Sequence, residues 1–185
     1  MQPRRGFPHA TITLPHPKGL IVMRTIVYIS GALSDVPAQT RDHYLTFYEM
    51  LGNVVETAGL VAYVPHQNTD PVRHKDVTPK QVDLIDRTAV MSSILVAAVV
   101  DNPSLGVGIE VEMAYHAAKP VVLLCHEDRI AQRRISRLVR GNPAVVHEIV
   151  YTTREDALEQ FAEFLRTFLM EQAEGILPRS LQPLI

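Results

Sequence analysis

From position 24 onward the chain alternates short apolar runs with longer stretches whose apolar residues recur every three or four positions. The runs are TIVYIS (25–30), LVAYV (60–64), ILVAAVV (94–100), VVLLC (121–125) and EIVYT (148–152). Runs of this length, rich in β-branched residues, predict strands. The stretches between them predict helices at about 38–58, 79–92, 107–118, 130–139 and 154–173. The second helix has a clear start, with Thr78 as N-cap and Pro79 at the first helical position, where its missing donor costs nothing. The last carries Leu158, Phe161, Leu165, Phe168 and Leu169 on one stripe, suited to a core or a dimer interface.

Alternating strand and helix units with short connections predict an α/β fold: a doubly wound, five-stranded parallel sheet, flavodoxin-like (Rossmann-like), with helices on both faces. In that strand order a ligand binds past the carboxyl ends of the first and third strands. The loops SGALSD (30–35) and DNPSLGVG (101–108) are therefore where chemistry is expected.

A chain of 185 residues suits one domain, expected over 23–173. The proline-rich stretch 1–22 has no period and reads as a flexible arm, with Met23 an alternative start to Met1. Positions 174–185 read as a tail. A formal net charge of −2 argues against a nucleic-acid duplex or an anionic membrane as the main partner. No run approaches the roughly 18 apolar residues of a membrane span, and GLIVM (19–23) is too short for a secretion signal, so a cytoplasmic location is expected. Cys125 stands alone inside an apolar run, which excludes a disulfide scaffold and predicts a buried thiol.

Two carboxylates stand out because they fall on apolar helix faces. At about 100° per residue, Glu110 shares one arc with Val107, Val111, Ala114 and Ala118, whereas Glu112 points the opposite way. In the preceding helix Asp86 falls among Val82, Ile85 and Ala89, with Asp83 and Arg87 at the margins. An unpartnered carboxylate in an apolar interior costs several kcal/mol unless it finds donors or stays protonated. Each acid alone suits a loop cap or an arginine partner. A pair on helices flanking one strand, near the expected ligand loops, also suits the paired carboxyls that cleave glycosidic bonds. Gly106 and Gly108 let the backbone approach a ligand closely, and the helix start after them favours an anion.

The stretch PSLGVGIEVEMA (103–114) resembles the P-S-L-G-V-G-Y-E-L-G-x-A signature of the nucleoside 2-deoxyribosyltransferase superfamily, in particular its 2'-deoxynucleoside 5'-phosphate N-hydrolase branch. The resemblance runs from about position 24 to 165. It implies that Glu110 is the nucleophile, that Asp86 in VDLIDRT protonates the departing base, and that Tyr28 in VYISGAL donates to Glu110. It also implies that Ser104 binds a 5'-phosphate and that Ser136 reaches the same phosphate from a second subunit, giving a homodimer with shared sites. Ser30, Gly31, Gly106 and Gly108 belong to the implied substrate-binding loops. The branch's phosphate-binding serine and arginine of the first loop align with Ala32 and Ser34, so that half of the clamp is absent or comes from elsewhere, as from Arg41. Ile109 stands where an aromatic residue is usual.

The segment 65–78 is expected to roof the base, with His66, Gln67, Asn68 and Asp70 offering donors and acceptors to a nucleobase edge, or to be a solvated loop. The spacing of His66 and His74 fits no standard metal site, and no cofactor is expected. The reading is an N-glycosidase hydrolysing a (deoxy)nucleoside 5'-monophosphate through a glutamyl glycosyl-enzyme intermediate. A base-exchanging deoxyribosyltransferase and a non-catalytic nucleotide-binding module are the alternatives.

Overall fold

In β1 (Ile26–Ser30) successive side chains take opposite sides of the sheet, Val27 and Ile29 entering one apolar layer and Tyr28 the other. That alternation places a tyrosine on the face where the chemistry gathers. The structure, a computed structural model, describes residues 25–34 and 36–175. The arm expected over 1–22 and positions 176–185 of the expected tail lie outside the described residues.

The other strands are β2 (Val61–Tyr63), β3 (Ser93–Val99), β4 (Val121–His126) and β5 (Val145–Tyr151). All pair in parallel, in the order β2-β1-β3-β4-β5, the flavodoxin-like arrangement that the sequence pattern predicts. The long helices are α1 (Ala38–Thr57), α3 (Pro79–Ser92), α4 (Leu105–His116) and α7 (Arg154–Ala173); α2 (His66–Thr69), α5 (Glu127–Ala131) and α6 (Arg137–Arg140) are single turns. Helices α1 and α7 cover one face through Leu45, Leu51, Phe161 and Leu165. Helices α3 and α4 cover the other through Ala89, Val90, Val107 and Val111, and Cys125 lies buried in that second layer. No helix among the described residues is long and apolar enough to cross a membrane.

Local signals explain most boundaries. Thr78 and Gln81 form a capping box at the start of α3, each side chain meeting the other's backbone N–H, with Pro79 next in line. The helix expected over 130–139 is instead two turns, α5 and α6, because Arg133 adopts a left-handed conformation (φ 55°). The Arg134 N–H reaches the Arg129 carbonyl and the Arg133 N–H the Ile130 carbonyl, which closes α5 as a Schellman motif with arginine where glycine is usual. Ser136 then caps α6. In α3 the buried residues are Asp86, Ala89 and Val90, while Ile85 is partly exposed, so the helix is rotated from the arc read in the sequence.

Two buried groups fix the loops at the carboxyl end of the sheet. Asp101 accepts hydrogen bonds from the His126 backbone N–H (2.7 Å) and the Tyr151 hydroxyl, tying the ends of β3, β4 and β5 together beneath the turn that leads into α4. Asp70, fully buried, pairs with Arg41 and accepts from the backbone N–H groups of Val72 and Arg73, closing the segment after β2. The Arg41 guanidinium and these N–H groups hold the Asp70 carboxyl below the usual aspartate range against the opposing effect of burial.

Candidate active site

The site grows from the carboxyl ends of β1 and β2 and the two helices beside them. Glu110, one and a half turns into α4, is turned back toward β1. There it accepts hydrogen bonds from the Tyr28 hydroxyl (2.7 Å to Oε1) and the Ser30 hydroxyl (to Oε2). Tyr28 and Ser30 are two residues apart on a strand and so face the same side, which places one donor on each carboxylate oxygen. Ser30 is completely buried, so it is a carboxylate holder here, not the substrate-binding residue expected from the sequence.

Asp86 of α3 is 9 % exposed and accepts from the Tyr63 hydroxyl at 3.0 Å. Thr69 Oγ1 lies 3.4 Å from each of its oxygens. Because β2 pairs with β1 in the register Tyr28↔Tyr63, the two tyrosine rings stack, with centroids 5.3 Å apart and planes 17° apart. Two stacked phenols thus hold two carboxyls, one each.

Burial pushes the Glu110 carboxyl up to about 7, against the opposing donors Ser30 and Tyr28 and with the neighbouring Asp86 adding to the rise. Burial also raises Asp86 above the usual aspartate value, with Tyr63 and Thr69 working against it and Asp83 with it. Glu110 can therefore hold or release a proton near neutral pH, and Asp86 keeps its proton to higher pH than an ordinary aspartate. That is the property a nucleophile and acid pair needs.

Glu110 and Asp86 line one hollow of about 600 Å³, which also takes in Gly31, Thr69, His74, Ser104 and Gly106. Its apolar wall comes from Val77, Val82, Val107 and Met113. Ser104 caps α4, its hydroxyl accepting from the Val107 N–H at 3.3 Å. A Cβ at Gly106 would meet only the Ser104 hydroxyl, at 3.6 Å, so ligand can approach the first turn of α4, where unpaired N–H groups favour an anion. Gly108 has nothing within 4 Å of where a Cβ would sit, but it does not line this hollow. Gly31 is required for another reason: a Cβ there would lie 2.3 Å from the Tyr48 ring, whose hydroxyl donates to the Ala32 carbonyl.

Several expected substrate contacts point elsewhere. His66 is fully buried and its Nε2 meets Glu49 Oε1 at 2.8 Å. Asp70 is the buried partner of Arg41, so neither that carboxylate nor that guanidinium is free for a ligand. Asn68 is exposed on α2 and does not line the hollow. The segment folds back as a helical turn because its polar groups find partners inside, and it presents Pro65, Thr69, Pro71, His74 and Val77 to the hollow. Ser136 lies in a neighbouring hollow that shares Ser104, Leu105, Val107 and Ile109 with the first and carries Arg133, Arg134 and Arg137. Sequence reasoning missed Tyr63 and Thr69. Among the described residues no group of three or more His, Cys, Asp or Glu side chains is placed to hold a metal ion.

No protein-family model and no curated protein matches this chain. Among solved structures, a CMP N-glycosidase of Clostridium botulinum is similar, with 21 % identity over 76 % of this chain and 99 % of that one, and a TM-score of 0.57. A conserved protein of Enterococcus faecalis shows 22 % identity over 76 % and 99 % of the two chains (TM-score 0.49). A molybdenum cofactor binding protein of Rippkaea orientalis shows 18 % identity over 77 % and 98 % (TM-score 0.46). At such identities the likeness is one of fold, and one fold carries many chemistries. The likeness to the botulinum CMP N-glycosidase identifies the chain, with its five-stranded parallel sheet, as sharing that protein's α/β fold.

Proposed function

We propose that this protein is an N-glycosidase that splits a (deoxy)nucleoside 5'-monophosphate into free base and sugar phosphate. The observation that carries the reading is the convergence of Glu110 and Asp86 on one hollow, each held by its own tyrosine donor. Ionised Glu110 attacks the anomeric carbon while protonated Asp86 gives its proton to the departing base nitrogen. Water then cleaves the glycosyl ester and its proton returns to Asp86. The CMP N-glycosidase with the same fold acts on a substrate of this class. The phosphate is assigned to the first turn of α4 at Ser104 and Gly106. Because Arg41 is engaged by Asp70, positive charge for it comes from Arg133, Arg134 and Arg137 in the adjoining hollow.

The test is release of base from the common nucleosides and their 5'-monophosphates, followed chromatographically. One monophosphate is expected to react about 10²-fold or more faster than its parent nucleoside, since a site built for a polar group discriminates strongly against its absence. Exchange of base when a second free base is added assigns the chain to the transferases instead, and tight binding without any base release makes it a binding module.

The lips of the two hollows leave Leu105 and Leu138 90 % and 86 % exposed. Apolar side chains so open beside a polar site support a homodimer in which a second copy covers them and brings its Ser136 to the phosphate. Sedimentation equilibrium is expected to give twice the chain mass, and a fully active monomer contradicts the assembly.

A further inference from the structure

We infer that Ser30 is a positioning residue: with Tyr28 it grips the two oxygens of Glu110, so that the carboxylate meets the sugar ionised and in one orientation. The inference rests on the reading of Glu110 as the nucleophile. It starts from what surrounds that carboxyl. Among the described residues no lysine or arginine lines the hollow, so no fixed positive charge favours the ionised form. The titratable groups that face Glu110 are Tyr28 of β1, Tyr63 of β2 and Asp86 of α3, with His74 and Asp83 lining the same hollow. Asp83 is paired with Arg87. Burial and Asp86 both oppose ionisation, and the hydroxyls of Ser30 and Tyr28 are the groups that work for it.

The register of the sheet explains why the Ser30 proton goes to Glu110. Parallel pairing sets Val96 and Ala98 of β3 beside Tyr28 and Ser30, in the same apolar layer as Tyr28. Neither neighbour has an acceptor in its side chain, and Ser30 is completely buried, so its hydroxyl does not reach water. Its single proton is donated to Glu110 Oε2. With Tyr28 alone, the carboxyl would be free to pivot about one bonded oxygen. A second donor two residues along the same strand holds the other oxygen and fixes the plane of the group. Ser30 does not line the hollow, so it acts through Glu110 and not on the substrate.

Ser30→Ala tests the inference, because it removes the donor and leaves a small apolar side chain in an apolar layer. Loss of one hydrogen bond to a carboxylate makes Glu110 harder to ionise by about one pH unit. The reactive enzyme has Glu110 ionised and Asp86 protonated. On the acidic side of the pH profile that fraction depends on how readily Glu110 gives up its proton, so kcat/KM is expected to fall about tenfold there. On the alkaline side it depends on Asp86, which Ser30 does not touch, so variant and wild type converge. A loss of equal size across the whole profile is what a purely structural role gives, and it overturns the inference.

Carbon-13 NMR of glutamate-labelled protein, with Glu110→Gln assigning the signal, reads the same effect without turnover. Glu110 is expected to titrate about one pH unit higher in Ser30→Ala than in the wild type. An inactive wild type in which that displacement is seen defeats the glycosidase reading and leaves the positioning role of Ser30 intact. A Glu110 titration that stays in place in Ser30→Ala overturns the inference.

Discussion

A Glu110→Gln chain is expected to release base about 10⁴-fold more slowly than the wild type while staying folded and still binding nucleotide. The amide keeps the size and planarity of the carboxylate and can still accept from Tyr28, but it has no electron pair basic enough to form an ester with the anomeric carbon. The same substitution is expected to stabilise the fold, with a sign set by the Glu110 carboxyl. Because that carboxyl sits at about 7 in the folded protein, against 4.5 ordinarily, the native state binds the extra proton between those values. Its stabilising contribution is complete below about 4.5 and is lost as pH rises through about 7. At roughly 1.36 kcal/mol per pH unit the ionised wild type carries a cost of at most about 3 kcal/mol at pH 8, less the part that water in the hollow relieves. Thermal melts at about pH 8 should show Glu110→Gln more stable than wild type, with the gap closing near pH 4.5. A gap of equal size at both values means that Glu110 is not held as a neutral-favouring carboxyl.

Asp86→Asn is expected to cost about 10²- to 10⁴-fold in turnover of natural nucleotides, the range for loss of a positioned general acid. The loss depends on the leaving group. A nucleobase leaves poorly without a proton, whereas a nitrophenolate leaves without one, so a nitrophenyl riboside 5'-phosphate should lose less than about tenfold. The pH profile carries the same information: the wild-type rate falls on the alkaline side as Asp86 loses its proton, and the variant's residual rate lacks that limb. Equal losses on both leaving groups make Asp86 an electrostatic or structural residue.

The layer structure was legible because it depends on local order in the chain. Apolar runs marked the strands, Thr78 and Pro79 marked α3, the resemblance in VYISGAL pointed to Tyr28, and the misplaced acids Asp86 and Glu110 signalled a polar hollow before any contact was known. What escaped was non-local. Tyr63 reads as an ordinary aromatic in a short apolar run, and it becomes a donor to Asp86 only because β2 lies beside β1. His66 and Asp70 show the converse: their side chains offered contacts to a base edge, but Glu49 and Arg41 claimed them from inside the fold. The break at Arg133 was hidden because the apolar period continues across it, and periodicity does not register a single left-handed residue.

The central claim is that Glu110 forms a covalent bond to the sugar in a hollow it shares with Asp86. The most direct measurement uses a 2'-fluoro analogue of the nucleotide whose base is released fastest. The fluorine destabilises the oxocarbenium-like transition state, so the glycosyl enzyme accumulates. After acid quench and digestion, mass spectrometry is expected to find the fluorosugar phosphate on the peptide containing Glu110, in an amount matching the burst of released base. A burst of base with that peptide unmodified, or with the sugar on another residue, contradicts the account.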